Sequence, residues 1–327
     1  MKGLDSYLSL SPRIRDDGSC ALLEIGPDYY SPGFWVALAA YARANRIPYE
    51  KIQFSSDHQR GYSEAIKLPF ALNNTDTYSF SRVKEGQNYS GLVLLESDVS
   101  TDDATRTVNG CIRHFCIGLG VDLFANSFCK VVGDLHDNVW SHGKSTGFSM
   151  AQKWKKIGAK NDFIFEFGLA DCGLGFLREL KRVGLAISND NEAIEWCIKE
   201  GNSSKLINKK VDEWEQRLPI DIIGNPMPGI GKAKDSDNHH QGLGLAKLVS
   251  LVENYKGQLW LASGEAVFAM DPEYKTFSSP AFPWQGVCIA CRFDTSMVKR
   301  SQQVEGFNEV TSAIIELLGD EDGEDCI

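Results

Sequence analysis

The run Phe163-Ile-Phe-Glu-Phe-Gly-Leu-Ala-Asp171-Cys-Gly173-Leu-Gly175 constrains this chain more than any other stretch. Its aromatic alternation predicts a strand with a packed face. The strand ends in Asp-x-Gly-x-Gly, which sets a carboxylate at the strand end and two glycines just beyond it. A buried carboxylate there can accept the exocyclic N–H of adenine, and Gly173 and Gly175 let backbone come close to a ligand. The same letters also suit an ordinary Asp-Gly turn after a strand.

A chain of 327 residues suggests two domains at about 100–200 residues each. Hydrophobic residues make up 43% and charged residues 24%, enough for real cores. The net charge is −10, a poor match to a partner whose backbone is polyanionic, so no direct nucleic-acid binding is expected. The nine cysteines show no framework of spacings and read as reduced thiols of a cytoplasmic protein. Cys288-Ile-Ala-Cys291 lies in a strand-like run, so alternation sends its two thiols to opposite faces. No signal peptide is evident and no apolar run reaches the ~20 residues of a bilayer span, so no membrane partner is expected.

Along the chain, residues 20–25 read as a buried strand and 34–45 as an Ala-rich helix, with Ser31 as a candidate cap and Pro32 in its first turn. Residues 49–54 alternate like a strand, 61–67 suggest a short helix, and YSFSRV (78–83) and GLVLLES (91–97) are strand-like. This order predicts a small α/β layer over residues 1–100. Residues 101–125 read as a linking helix. Two helical pieces are expected at 192–199 and 210–218, and the Gly/Pro/Asp-rich stretch 224–241 as a loop or lid. Residues 301–327 read as a C-terminal helix and acidic tail.

Two further motifs flank the first. In Val131-Val-Gly-Asp-Leu-His-Asp-Asn-Val-Trp-Ser-His142, Val131, Leu135 and Val139 make a core stripe, while Asp134, Asn138 and His142 share an adjacent polar face. An amide oxygen at Asn138 can ligate Mg²⁺, and a carboxylate at Asp134 can orient or deprotonate a water. An exposed amphipathic helix gives the same pattern. The other motif, Gln241-Gly242-Leu243-Gly244-Leu245, opens a helix whose stripe runs through Leu248, Val249, Val252 and Tyr255. Glycines at a helix start leave N–H groups facing an anion. No Gly-Lys-Ser/Thr follows, so this is not a Walker loop. His136, His142, His239 and His240 lack the spacing of a zinc site.

In this order, the three motifs resemble the N, G1 and G2 boxes of the histidine-kinase-like (GHKL) ATPases. The resemblance covers residues ~110–295 and takes in GQLWLASG and the final GVCIACRF strand. It implies a Bergerat-fold domain over 126–300, a two-layer α/β sandwich with a mixed sheet and helices on one face. The implied ligands are ATP and Mg²⁺. Asp134 would be the catalytic carboxylate. Asn138, also the metal ligand, would bind the cofactor together with His142, Asp171, Gly173, Gly175, Gly242, Leu243, Gly244 and Leu245. Relatives carry Glu where this chain has Asp134, the first glycine of the longer G2 pattern is absent, and no Thr stands near Val287. Residues 1–100 resemble a STAS-like module, as bacteria pair with such ATPases, and Ser31 is the nearest counterpart of its phosphorylated serine.

The reading is a regulatory ATP/Mg²⁺-binding protein whose nucleotide switches a protein partner or homodimer, with slow or no hydrolysis. The alternatives are an anti-sigma-type serine kinase and an ATPase that dimerises with ATP.

Overall fold

The computed structural model describes residues 1–9, 13–16, 21–139, 145–202 and 244–303. Phe163–Asp171 forms a strand, β6, as its alternation predicts, but both its faces are buried. Phe165, Phe167 and Leu169 enter one core and Ala170 another. This double burial makes β6 a central strand. It pairs antiparallel with β5 (Gly147–Lys155) and β10 (Trp284–Asp294).

The sheet continues through β4 (Val93–Leu95), β7 (Gln258–Gly264), β8 (Ala266–Met270) and β9 (Lys275–Ser278) in the order β4-β5-β6-β10-β7-β8-β9. Every pairing in it is antiparallel, whereas a mixed sheet was expected. A smaller three-stranded sheet of β1 (Arg13–Asp16), β2 (Ala21–Ile25) and β3 (Ile52–Phe54) is mixed.

Helices cover both faces of the large sheet. On one face lie α5 (Asp98–Cys116), α6 (Asp122–Asn138) and α9 (Gly244–Asn254), with α7 (Phe176–Arg182) and α8 (Asp190–Ile198) beside them. On the other face α2 (Pro32–Ala44) packs across β5, β6 and β10, flanked by α1 (Leu4–Ser9), α3 (Asp57–Ala65) and α4 (Leu68–Asn73). Helices on one face were expected of the domain over 126–300, and those on the second face come instead from residues 4–73. The second face is apolar too, with Phe148, Met150, Ala262 and Ala290 buried under α2, and apolar sheet surface must be covered.

The stretch 101–125, read as one linking helix, is two helices. Ile117–Val121 breaks it, with Gly118 and Gly120 at positive φ, and Ala104, Val108, Ile112 and Phe115 of α5 are core residues. YSFSRV is irregular coil, held by Arg82, whose guanidinium bonds the carbonyls of Glu64 and Ala65 and the Asp76 carboxylate. GLVLLES yields β4, an edge strand of the large sheet. Residues 295–303 are helical; 210–218, 224–241 and the acidic tail lie outside the described residues.

Ser31 heads α2, but its hydroxyl caps nothing. It is fully buried and donates to Glu166 Oε1 at 2.7 Å, and the same oxygen accepts the Gly33 N–H at 2.8 Å. A kinase cannot reach a hydroxyl in that position while α2 is docked. Glu166 is itself fully buried, and Arg292 donates to its Oε2 at 2.9 and 2.7 Å.

Candidate functional site

The cleft-bearing face is the one covered by α5, α6 and α9. A cleft with about 850 Å³ of empty space, part of it open to solvent, lies where α6, β6, α7, α8, α9 and β10 meet. Its walls are mostly apolar: Leu135 and Val139 from α6, Leu169 from β6, Trp196 and Cys197 from α8, Leu245 from α9, Ile289 from β10. Few polar side chains reach it, notably Asn138 and Asp171. An apolar slot with a few placed polar groups is the usual form of a cofactor or nucleotide pocket.

Asp171 ends β6 and is 6% exposed, as the motif predicts. Its Oδ1 accepts the Gly173 N–H at 2.7 Å, so the first motif glycine orients the carboxylate. Burial raises the Asp171 pKa from 3.8 to about 6, against the pull of the Gly173 and Val287 N–H groups. The Ser145 hydroxyl pulls the same way, and because a carboxylate has about four acceptor sites, capacity for a ligand N–H is left after those three. Gly175 has φ +73°, and a Cβ there would meet Ser263 Oγ at 2.9 Å.

Gly286 was missed by sequence reading. Its φ is +90°, and a Cβ would fall 2.4 Å from Asp171 O and 2.6 Å from Asp171 Oδ1. Any side chain at this position would push the end of β10 off the carboxylate. A glycine before a strand is too common to signal this; only the pairing of β10 with β6 reveals it. Trp196 and Cys197 were missed for a similar reason, since they come from a helix with no motif.

The second motif lies on α6. Val131, Leu135 and Val139 are buried, as the stripe predicts. Asn138 is half-buried at the cleft wall. Asp134, one turn earlier, is 5% exposed, so the simple exposed-face reading of this helix does not hold for it. It faces α9. A Cβ on Gly244 would meet Asp134 Cβ at 2.7 Å, and Lys247 Nζ donates to Asp134 Oδ2 at 3.2 Å. Gly244 therefore serves close packing of α9 on α6 at the carboxylate. Lys247 was also missed, although it lies one turn into the helix that the glycine motif opens.

The fold thus gathers Asn138, Asp171, Gly175 and Leu245, drawn from all three motifs, around one cleft. Gly173 acts through Asp171, and Asp134 and Gly244 touch behind the wall. His142, Gly242 and Leu243 lie outside the described residues.

His136 points away from the cleft. It is fully buried, with Nδ1 bonded to Thr105 Oγ1 and Nε2 to Ser149 Oγ, each at 2.8 Å. Burial lowers its pKa to about 3, so the ring is neutral and both nitrogens are engaged. Cys288 and Cys291 sit in opposite cores, as alternation predicts. Among the described residues no group of three or more His, Cys, Asp or Glu is arranged to hold a metal. Among them, too, no helix is long and apolar enough to cross a membrane.

No protein-family model, curated protein or solved structure matches the chain.

Proposed function

We propose that the chain is a GHKL-type ATP-binding regulatory protein, with the adenine against Asp171 and the phosphates toward Asn138 and the start of α9. Within this reading the large sheet with α5, α6 and α9 is a Bergerat-type fold, and residues 1–100 form a STAS-like layer docked behind it. The carrying observation is convergence. Residues 138, 171, 175 and 245, far apart in sequence and drawn from three motifs, line one largely apolar cleft.

Asp171 suits adenine because it is a buried acceptor with one oxygen already oriented. Asn138 suits Mg²⁺ because its carboxamide offers a hard oxygen, and beside nucleotides this cation takes few protein oxygens and completes its shell with phosphates and waters. Bound Mg²⁺ would offset phosphate charge, while the chain's own part is to orient the nucleotide. Binding is favoured over turnover, since Asp134 is one methylene shorter than the glutamate that relatives carry at this place.

The test is a titration of wild type and Asp171→Asn with ATP and GTP, with Mg²⁺ present. Wild type should prefer ATP, and the substitution should weaken ATP binding about 100-fold, the loss expected for a buried charge-assisted bond. Equal affinity for the two nucleotides in wild type would sink the assignment.

A further inference from the structure

The ion pair behind the cleft wall is unequal. Asp134 is held in the contact between α6 and α9, its side chain only 6% exposed, whereas that of Lys247 is 52% exposed. The lysine can leave on its flexible stem; the carboxylate cannot. Gly244 holds the two helices close enough for the pair to form, with its Cβ position 2.7 Å from Asp134 Cβ. The pair also borders the cleft. Neither residue lines the wall, but Asp134 stands one helical turn, about 5–6 Å, from Asn138, which does, and Lys247 reaches Asp134 across the helix contact.

We propose that Lys247 is a phosphate-sensing residue that exchanges its partner, leaving Asp134 for the terminal phosphate when a nucleoside triphosphate enters the cleft. This rests on the nucleotide reading above. The physical basis is competition. In the empty cleft the ammonium neutralises a buried carboxylate. A triphosphate presents more negative charge and more acceptor oxygens than one carboxylate, and an exposed lysine is a mobile point charge able to turn toward it. A diphosphate, one phosphoryl group shorter, leaves the pair in place. Lys247 thus reports the length of the phosphate chain, and its ion pair with Asp134 opens only when a triphosphate is bound.

The consequence that a merely structural ion pair would not produce is a gain of affinity. Asp134→Asn removes the competitor for the lysine, so it should tighten binding of a nonhydrolysable ATP analogue. The experiment is calorimetric titration of the full chain with that analogue and with ADP, both with Mg²⁺. It compares wild type, Lys247→Met, Asp134→Asn and the double variant. Wild type should prefer the triphosphate. Lys247→Met should erase about tenfold or more of that preference, the size of one charge-assisted contact, with ADP affinity little changed. Asp134→Asn should tighten the analogue several-fold in wild type and do nothing in the Lys247→Met background, because coupled residues are non-additive.

The double variant leaves neither charge alone in the helix contact, so it tests the idea even where Lys247→Met folds poorly. An unchanged triphosphate preference in Lys247→Met, or in the double variant where the single one does not fold, overturns the proposal, as does an Asp134→Asn that fails to tighten the analogue. If wild type binds neither nucleotide, the nucleotide reading itself fails and this inference with it.

Discussion

The two faces of the large sheet are both buried among the described residues, and the motif cleft lies on one of them. Under α2 the contact is backbone-close. A Cβ on Gly33 would meet Ala290 Cβ at 2.6 Å, and one on Gly168 would meet Pro32 C at 2.9 Å. Glu166, buried in that contact, takes the Ser31 hydroxyl, the Gly33 N–H and the Arg292 guanidinium. On the opposite face α6, α7, α8 and α9 meet edge to edge and leave a cleft between them. One helix laid flat on a sheet fills the space beneath it, while several meeting at the strand ends do not. On the closed face the Glu166 carboxylate is taken up by these donors, whereas Asp171 on the open one retains acceptor capacity.

The largest expected effect attacks the closed face. Glu166→Ala strands a buried arginine partner and two donors, so it should cost about 3–5 kcal/mol of stability. Denaturant unfolding measures it. A loss below about 1 kcal/mol would mean that the network does not fasten α2 to the sheet.

On the open face the next largest effect is a pH dependence. The Asp171 pKa lies above its ordinary value, so the folded chain binds more protons than the unfolded chain between about 4 and 6. The stability this group adds is therefore present at low pH and is lost as pH rises through about 6. Nucleotide affinity runs the other way, because the ionised form is the acceptor. It should fall about tenfold per pH unit below about 6 and level off above it. Titrations from pH 5 to 8 check this, with Asp171→Asn as control (from about pH 5, in range for such buffers). A slope that persists in Asp171→Asn belongs to the nucleotide phosphates and not to this carboxyl.

The smallest effect sharpens the contrast between glycines. Gly110, inside α5, has nothing within 4 Å of its Cβ position, unlike Gly33 or Gly168. Gly110→Ala should stabilise the protein by about 0.5–1 kcal/mol, the helix-propensity difference alone. A thermal melt reads it, and a destabilised variant would show that this helix face touches something in the native protein.

Much of the local structure was legible in the sequence. The alternation of residues 163–171, the stripe of Val131, Leu135 and Val139, and the helix after Gly244 each state their own period, which needs no tertiary partner to be read. The separation of Cys288 and Cys291 follows from the strand repeat alone. The break at Gly118 and Gly120 and the coil at 78–83 were not legible. A glycine pair is tolerated in a helix or ends one according to packing, and YSFSRV has strand-forming residues but finds no strand to pair with.

The sequence by itself determined which residue types stand at the ends of elements: an acid after β6, an amide one turn from an acid on α6, glycines at the start of α9. Only the tertiary structure decided what each of them meets. Gly244 reads as a phosphate cradle, and in the fold it is a packing contact on Asp134. Ser31 reads as a helix cap or a modification site and proves to be a buried donor to Glu166. Gly286 and Lys247 carry no signal at all until β10 lies beside β6 and α9 beside α6. Periodicity is a property of neighbours along the chain. A close approach belongs to residues more than a hundred positions apart, so only the folded chain can reveal it.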